Sequence, residues 1–149
     1  MDDRNRPDED LQVRVETLFR LWDLIAVLFG ELPKPVKVGK VGTTHRKWVT
    51  HPPVRNTVPR LITRAAMQPI TLGERVLIMD GLTAWSDAFN LLVALAALPR
   101  VERPEAMYLE ATERMDECAE KLRIAAGSIR RRMTEERRER GRHRLRGTE

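Results

Sequence analysis

Tyr108, Ala111, Met115, Cys118, Leu122, Ala125 and Ile129 recur at alternating steps of three and four residues. That spacing draws one narrow stripe along an α-helix and would scatter across both faces of a strand. The chain must therefore hold a long helix here, with a seam of the coiled-coil kind. Pro104 is a good first helical position, and the pattern runs to at least Met133. Glu110, Glu113, Arg114, Glu117, Glu120, Lys121 and Arg123 fall on the outward side. The seam has two possible uses, packing on the chain's own first helix or contact between copies. Ala111, Ala119, Ala125 and Ala126 suit close helix contact in either case.

Three further helices are predicted. Over 9–29, Leu11, Val15, Leu18, Trp22, Ile25 and Phe29 form one apolar stripe. Asp8 or Asp10 caps its start, and Gly30 with Pro33 stops it. A short helix over 58–67 has Pro59 in its first turn and Pro69 beyond its end. The third helix covers 72–98. Thr71 to Glu74 reads as a capping box, and Ile78, Leu82, Trp85, Phe89, Leu92 and Ala96 form the stripe. Leu77, Leu91, Leu95 and Leu98 leave only Asp80, Thr83, Asp87 and Asn90 as a polar line, so this helix is expected at the centre. Gly81 costs about 1 kcal/mol against alanine in mid-helix, which a closely packed neighbour would explain.

The expected fold is all-α, a bundle or extended hairpin of three long helices and one short one. With 149 residues and 42% hydrophobic content, one domain and one core are expected. The domain covers 1–133, with a long basic loop at 32–56. A small hairpin is possible in that loop, from Val36–Val38 and Lys47–Thr50. Residues 134–149 read as an Arg-rich tail that Gly141 breaks, frayed or disordered beyond it. Charge pairs such as Arg132 with Glu136 and Glu136 with Arg140 would hold its helix. Cys118 is the sole cysteine, which excludes a disulfide scaffold and a Cys-rich zinc site. The polar, acidic start is not that of a secretory signal, and no uninterrupted apolar run approaches a membrane span. A soluble protein of a reducing compartment is expected, cytoplasmic or virion-associated, without membrane contact.

Charge placement carries the functional reading. From Leu32 to Gly73 there is no Asp or Glu, yet Lys34, Lys37, Lys40, Arg46, Lys47, Arg55, Arg60 and Arg64 lie in that stretch. Such a stretch draws phosphate backbones through counterion release. Trp48 and the imidazoles of His45 and His51 would stack on exposed bases. The second cationic block begins at Arg130, Arg131 and Arg132 and continues down the tail. Alternatives are an acidic protein neighbour for the basic arm, or a plain solvated loop.

The case for catalysis is weak. His45 and His51 stand six apart with no Cys or carboxylate nearby, and zinc needs three or four ligands. Asp80 and Asp87 read as a solvent edge or as partners for Arg75 or Arg64. Cys118 sits on the seam, where a buried structural thiol is the default. Gly39-Lys40-Val41-Gly42 precedes no capped helix and is no phosphate loop. No enzyme activity, cofactor or metal is expected. The two helices at 58–67 and 72–98 could form a helix-turn-helix, but the second is too apolar to face DNA.

In LFRLWDLIAVLFG, in THPPVRNTVPRLI and in the Arg-over-Lys tail (22 Arg against 5 Lys overall), the chain resembles small helical proteins of high-GC actinobacteria and their phages. The resemblance implies a virion-associated assembly or packaging role and assigns no residue a function. The expectation is a non-catalytic binding or assembly protein that engages a polyanion, nucleic acid first. The alternatives are an oligomeric assembly component, built through the seam, whose arm docks on an acidic protein, and a helix-turn-helix protein.

Overall fold

The structure, a computed structural model, describes residues 8–39 and 52–147, with side chains from residue 57 onward in the second stretch. Four α-helices follow one another: α1 (Glu9–Gly30), α2 (Pro52–Ala66), α3 (Leu72–Ala97) and α4 (Glu105–Gly147). A 3₁₀ turn, Arg100–Glu102, joins the last two. The described residues contain no strand. The fold is all-α.

Cross-links fix the topology. Asp80 of α3 pairs with Lys121 of α4, and Glu74 with Arg132, so these helices run antiparallel. Arg14 reaches Thr112 and Glu31 reaches Arg130, so α1 runs parallel to α4. α2 packs on α3 through Val58, Leu61 and Ala65. The central helix is α3, as its near-complete apolar belt requires. Ile78, Leu82, Trp85, Phe89, Leu92 and Leu95 are fully buried, while Asp80, Thr83, Asp87 and Asn90 stay exposed. Thr71 and Glu74 form both bonds of the capping box. An 18-residue window of α3 has a mean hydropathy of 1.3, apolar enough by length and composition to cross a membrane; 44% of it is buried within the chain.

Close approach explains Gly81. A Cβ there would stand 2.9 Å from Leu122 Cδ2 and 3.0 Å from its Cγ. Leu122 is itself buried in the seam and has little room to yield. Gly81→Val is therefore expected to cost about 2 kcal/mol through overpacking, despite removing the glycine. Thermal unfolding of the two proteins checks this; an unchanged melting temperature would show that the helices can part freely.

The structure corrects several boundaries. α2 starts six residues before the predicted 58, at the paired prolines Pro52 and Pro53. First-turn N–H groups have no partner in a helix, so prolines fit there. Pro59 consequently lies inside the helix rather than in its first turn. Gly141 does not end α4, which continues to Gly147. The stretch called a frayed tail from 134 is thus helical through that residue. The predicted hairpin has no strand at Val36–Val38, and its second half lies outside the described residues.

The seam is intramolecular. Ala111, Met115, Cys118, Leu122, Ala125 and Ile129 are all buried, and Tyr108 is half-buried. They pack chiefly against α3, with α1 the lesser neighbour. Both helices expose small residues and Gly81 where they cross, which lets α3 take the seam along most of its length. The seam residues are thus covered within the chain.

Candidate polyanion interface

The segment after α1 is tied to the bundle. Leu32 is buried, and Val36 and Val38 pack against the core. The Val36 N–H donates to Phe29 O at 2.9 Å, and Trp22 Nε1–H donates to Gly39 O at 3.1 Å. Gln68, buried behind α2, supplies the strongest tie. Its Nε2 donates to Lys34 O at 2.7 Å, and its Oε1 accepts the Lys34 N–H at 3.0 Å. One side-chain amide thus pairs both backbone polar groups of one residue, as a neighbouring strand would. Arg75 holds the Gln68 carbonyl through Nε and Nη2, at 3.3 and 2.9 Å. With its backbone pinned, this segment leaves the side chains of Lys34 and Lys37 exposed.

Beside it, α4 leaves the bundle. Leu32, Pro33, Pro35 and Met133 line an open groove of about 560 Å³, together with Thr134 and the bases Arg130 and Arg137. The groove thus combines apolar walls with two guanidinium groups and one carboxylate, that of Glu31. Arg130 is exposed and donates through Nε to Glu31 at 2.8 Å. An exposed pair of this kind is easily exchanged for another anion. Arg131 donates to Gly127 O at 3.3 Å and is exposed. Beyond Met133, every described residue of α4 is exposed.

The fold therefore brings Pro33 and Pro35, on either side of exposed Lys34, to the groove that Arg130 and Arg137 line, while Lys37 lies further back along α1, between the bonds to Phe29 and Trp22. Arg60 and Arg64 are exposed on α2 and do not line the groove. Lys40, His45, Arg46, Lys47, Trp48 and His51 lie outside the described residues, and Arg55 is described only in its backbone.

Arg132, unlike Arg130 and Arg131, is engaged inside the fold. Its Nη1 donates to Glu74 Oε1 at 2.5 Å, rather than pairing with Glu136. Glu74 is only 2% exposed. Its carboxylate also accepts from Ser128 Oγ at 2.6 Å and from the Thr71 N–H at 2.9 Å. Burial alone raises the Glu74 carboxyl, but the bonds from Ser128, Thr71 and Arg132 outweigh it and hold the group below its ordinary value. This cluster anchors α4 to the start of α3 at the point where α4 departs. The capping box identified Glu74 in the sequence, but its partners lie 54 or more residues away and left no local sign.

A second cluster lies at the far end of α4, about 33 Å away at 1.5 Å per residue. Asp8 accepts from Arg103 Nη1 at 2.5 Å and from the Tyr108 hydroxyl, and it caps α1 by accepting the Leu11 N–H. Arg14 stacks over the Tyr108 ring at 5.0 Å. These contacts tie the chain's first helix to its last and are structural.

Other candidates resolve simply. Cys118 is buried, which pushes its thiol up to about 12, so it is no ready nucleophile. The described residues hold no group of three His, Cys, Asp or Glu placed for a metal. Asp80 pairs with Lys121 at 3.4 Å, while Arg75 binds the Gln68 carbonyl instead of either aspartate. The apolar face of α3 is buried in the bundle, and its exposed line carries Asp80, Thr83, Asp87 and Asn90. No protein-family model, curated protein or solved structure matches the chain.

Proposed function

We propose that the protein is a non-catalytic binding protein that engages a polyanion, nucleic acid, through the end of the bundle where the basic segment meets α4. The observation that carries this reading is the meeting of two cationic blocks from distant parts of the chain. Lys34 precedes Arg130 and Arg137 by about a hundred residues, yet its neighbours Pro33 and Pro35 line one groove with both arginines. The intervening acid-free stretch adds further cations to the same arm. Polyvalent phosphate binding needs such a clustered positive surface, and it needs no pocket chemistry.

Fluorescence anisotropy with labelled single- and double-stranded oligonucleotides, over several salt concentrations, tests the reading. Lys37→Glu combined with Arg137→Glu is expected to weaken binding about tenfold and to reduce the log–log salt slope by about 2. No binding at low salt by the unaltered protein would overturn the proposal.

A second reading is an assembly component that meets another protein, in keeping with the phage-like style of the sequence. The observation favouring it is an exposed apolar strip, Met67, Leu72, Val76 and Met79, on the solvent side of the α2–α3 corner. In that reading the strip, rather than the seam, makes the contact and the basic arm meets acidic residues.

A further inference from the structure

Residues 134–147 of α4 extend about 21 Å past the bundle at 1.5 Å per residue. Helical geometry sorts their side chains into lines. Thr134, Gly141 and Leu145, at i, i+7 and i+11, share one line. On one side of it run Arg131, Arg138 and Arg142 at the same spacing, and on the other Arg137, Arg140 and Arg144. The acids Glu135, Glu136 and Glu139 fall on the back with His143 and Arg146. The helix thus has a line free of charge, flanked on both sides by arginines, and a back that carries all its carboxylates.

Gly141 supports a functional origin for this pattern. A Cβ at that position would meet nothing within 4 Å, so packing does not require glycine there. It still costs the helix about 1 kcal/mol relative to alanine. Leu145, 72% exposed, lies one turn further along the same line. A line without charge, with glycine at its middle, is what a close-fitting surface against the helix would demand.

We propose that this segment of α4 is a groove helix for duplex DNA, a proposal that rests on the polyanion reading above and names its substrate. The major groove of B-DNA is about 12 Å wide and accepts a helix about 10–12 Å across. Its two walls are phosphate backbones, so a seated helix needs cations on both flanks and carboxylates turned away. The two arginine rows meet the walls, and Thr134, Gly141 and Leu145 face the groove floor. Leu145 offers apolar contact to a thymine methyl group. The groove at the helix base is lined by Thr134, which heads this line, and by Arg130 and Arg137 on its flank. A single strand would need one cationic row and aromatic platforms, and residues 131–147 contain no Phe, Trp or Tyr. Duplex RNA has a major groove that is too narrow to enter.

Two substitutions of equal charge change, two residues apart, test the geometry. Leu145→Glu puts a carboxylate on the floor line, and His143→Glu puts one on the back. Both sites are exposed, so the fold is retained. Anisotropy would use the full chain with a 20-base-pair DNA duplex, the same sequence as duplex RNA, and the single strand. The expected result is preference for duplex DNA, a loss of about tenfold or more for Leu145→Glu, and a change within about twofold for His143→Glu. Equal losses in the two variants, or equal or tighter binding to the single strand or RNA duplex, would overturn the groove helix and leave the polyanion reading intact. No binding to any of the three would overturn both.

Discussion

Trp85→Ala lowers the unfolding free energy by about 4 kcal/mol, the usual range for deleting a large buried aromatic side chain. For a chain of this size that corresponds to a fall of roughly 10 °C in melting temperature. Trp85 lies at the centre of the bundle and is almost wholly buried. Its ring stands 4.8 Å from that of Trp22 in a tilted pair and 5.5 Å from that of Phe89 in a stacked one. Its Nε1–H also donates to Leu18 O at 2.9 Å, which joins α3 to α1 by a polar bond within the core. Trp85→Phe keeps most of the packing and loses that bond, so an intermediate cost is expected, near 1–2 kcal/mol. Urea unfolding followed by circular dichroism gives both values. An alanine variant within 1 kcal/mol of the parent, on the scale of a surface substitution, would mean that the α1–α3 contact is not the stabilising centre of the fold.

Glu74→Leu is expected to cost about 3 kcal/mol, the lower end of the range for breaking a buried ion pair. The lower end applies because Arg132 keeps 29% of its side chain exposed. Losing the carboxylate removes half of the α3 capping box and the acceptor for Ser128. It also strands Arg132, whose Nη2 is already buried without a hydrogen-bond partner among the described residues. Removing both charges in Glu74→Leu/Arg132→Leu should recover part of the loss, since no unpaired guanidinium remains. A double variant no more stable than Glu74→Leu would place the cost in the helix cap rather than in the pair.

The same cluster sets a pH dependence. The Glu74 carboxyl titrates below its ordinary value of 4.5 in the folded protein. Its contribution is therefore full above about that pH and is lost as pH falls through the lower folded value. Asp8 behaves alike, because the bonds from Tyr108, Arg103 and the Leu11 amide outweigh its burial. The stability gap between the parent and Glu74→Leu should accordingly narrow in acid. Urea midpoints at neutral pH and near pH 3 measure it, and a gap that stays constant would contradict the role given to the carboxylate.

Local rules wrote much of this molecule. Apolar periodicity placed α1, α3 and α4, and the capping boundaries at Asp8 and Thr71 fall where short-range hydrogen bonding puts them. The polar line of α3 and the need for a neighbour at Gly81 follow from the same period, since both are statements about one helix surface. Pattern alone failed at α2, where three prolines allow two starts and only the tertiary fold chooses between them. It failed again at Gly141, where glycine reduces helix propensity without reversing it, and the surrounding charged residues keep the helix intact.

Only the tertiary structure decided what lies next to what. The seam of α4 specified that it would be buried, but α3 rather than α1 became its main partner because the small residues along α3 allow the closer approach. Gln68 carried no signal in the chain, Glu74 read only as a helix cap, and Arg132 as one of a basic block. Each gained its role from a partner dozens of residues away, and sequence spacing holds no trace of such pairs. The two cationic blocks were both plain to read, but the approach of the chain after α1 to the exit of α4 was not. It arises because α1 and α4 run parallel, so the chain leaving α1 emerges where α4 leaves the core.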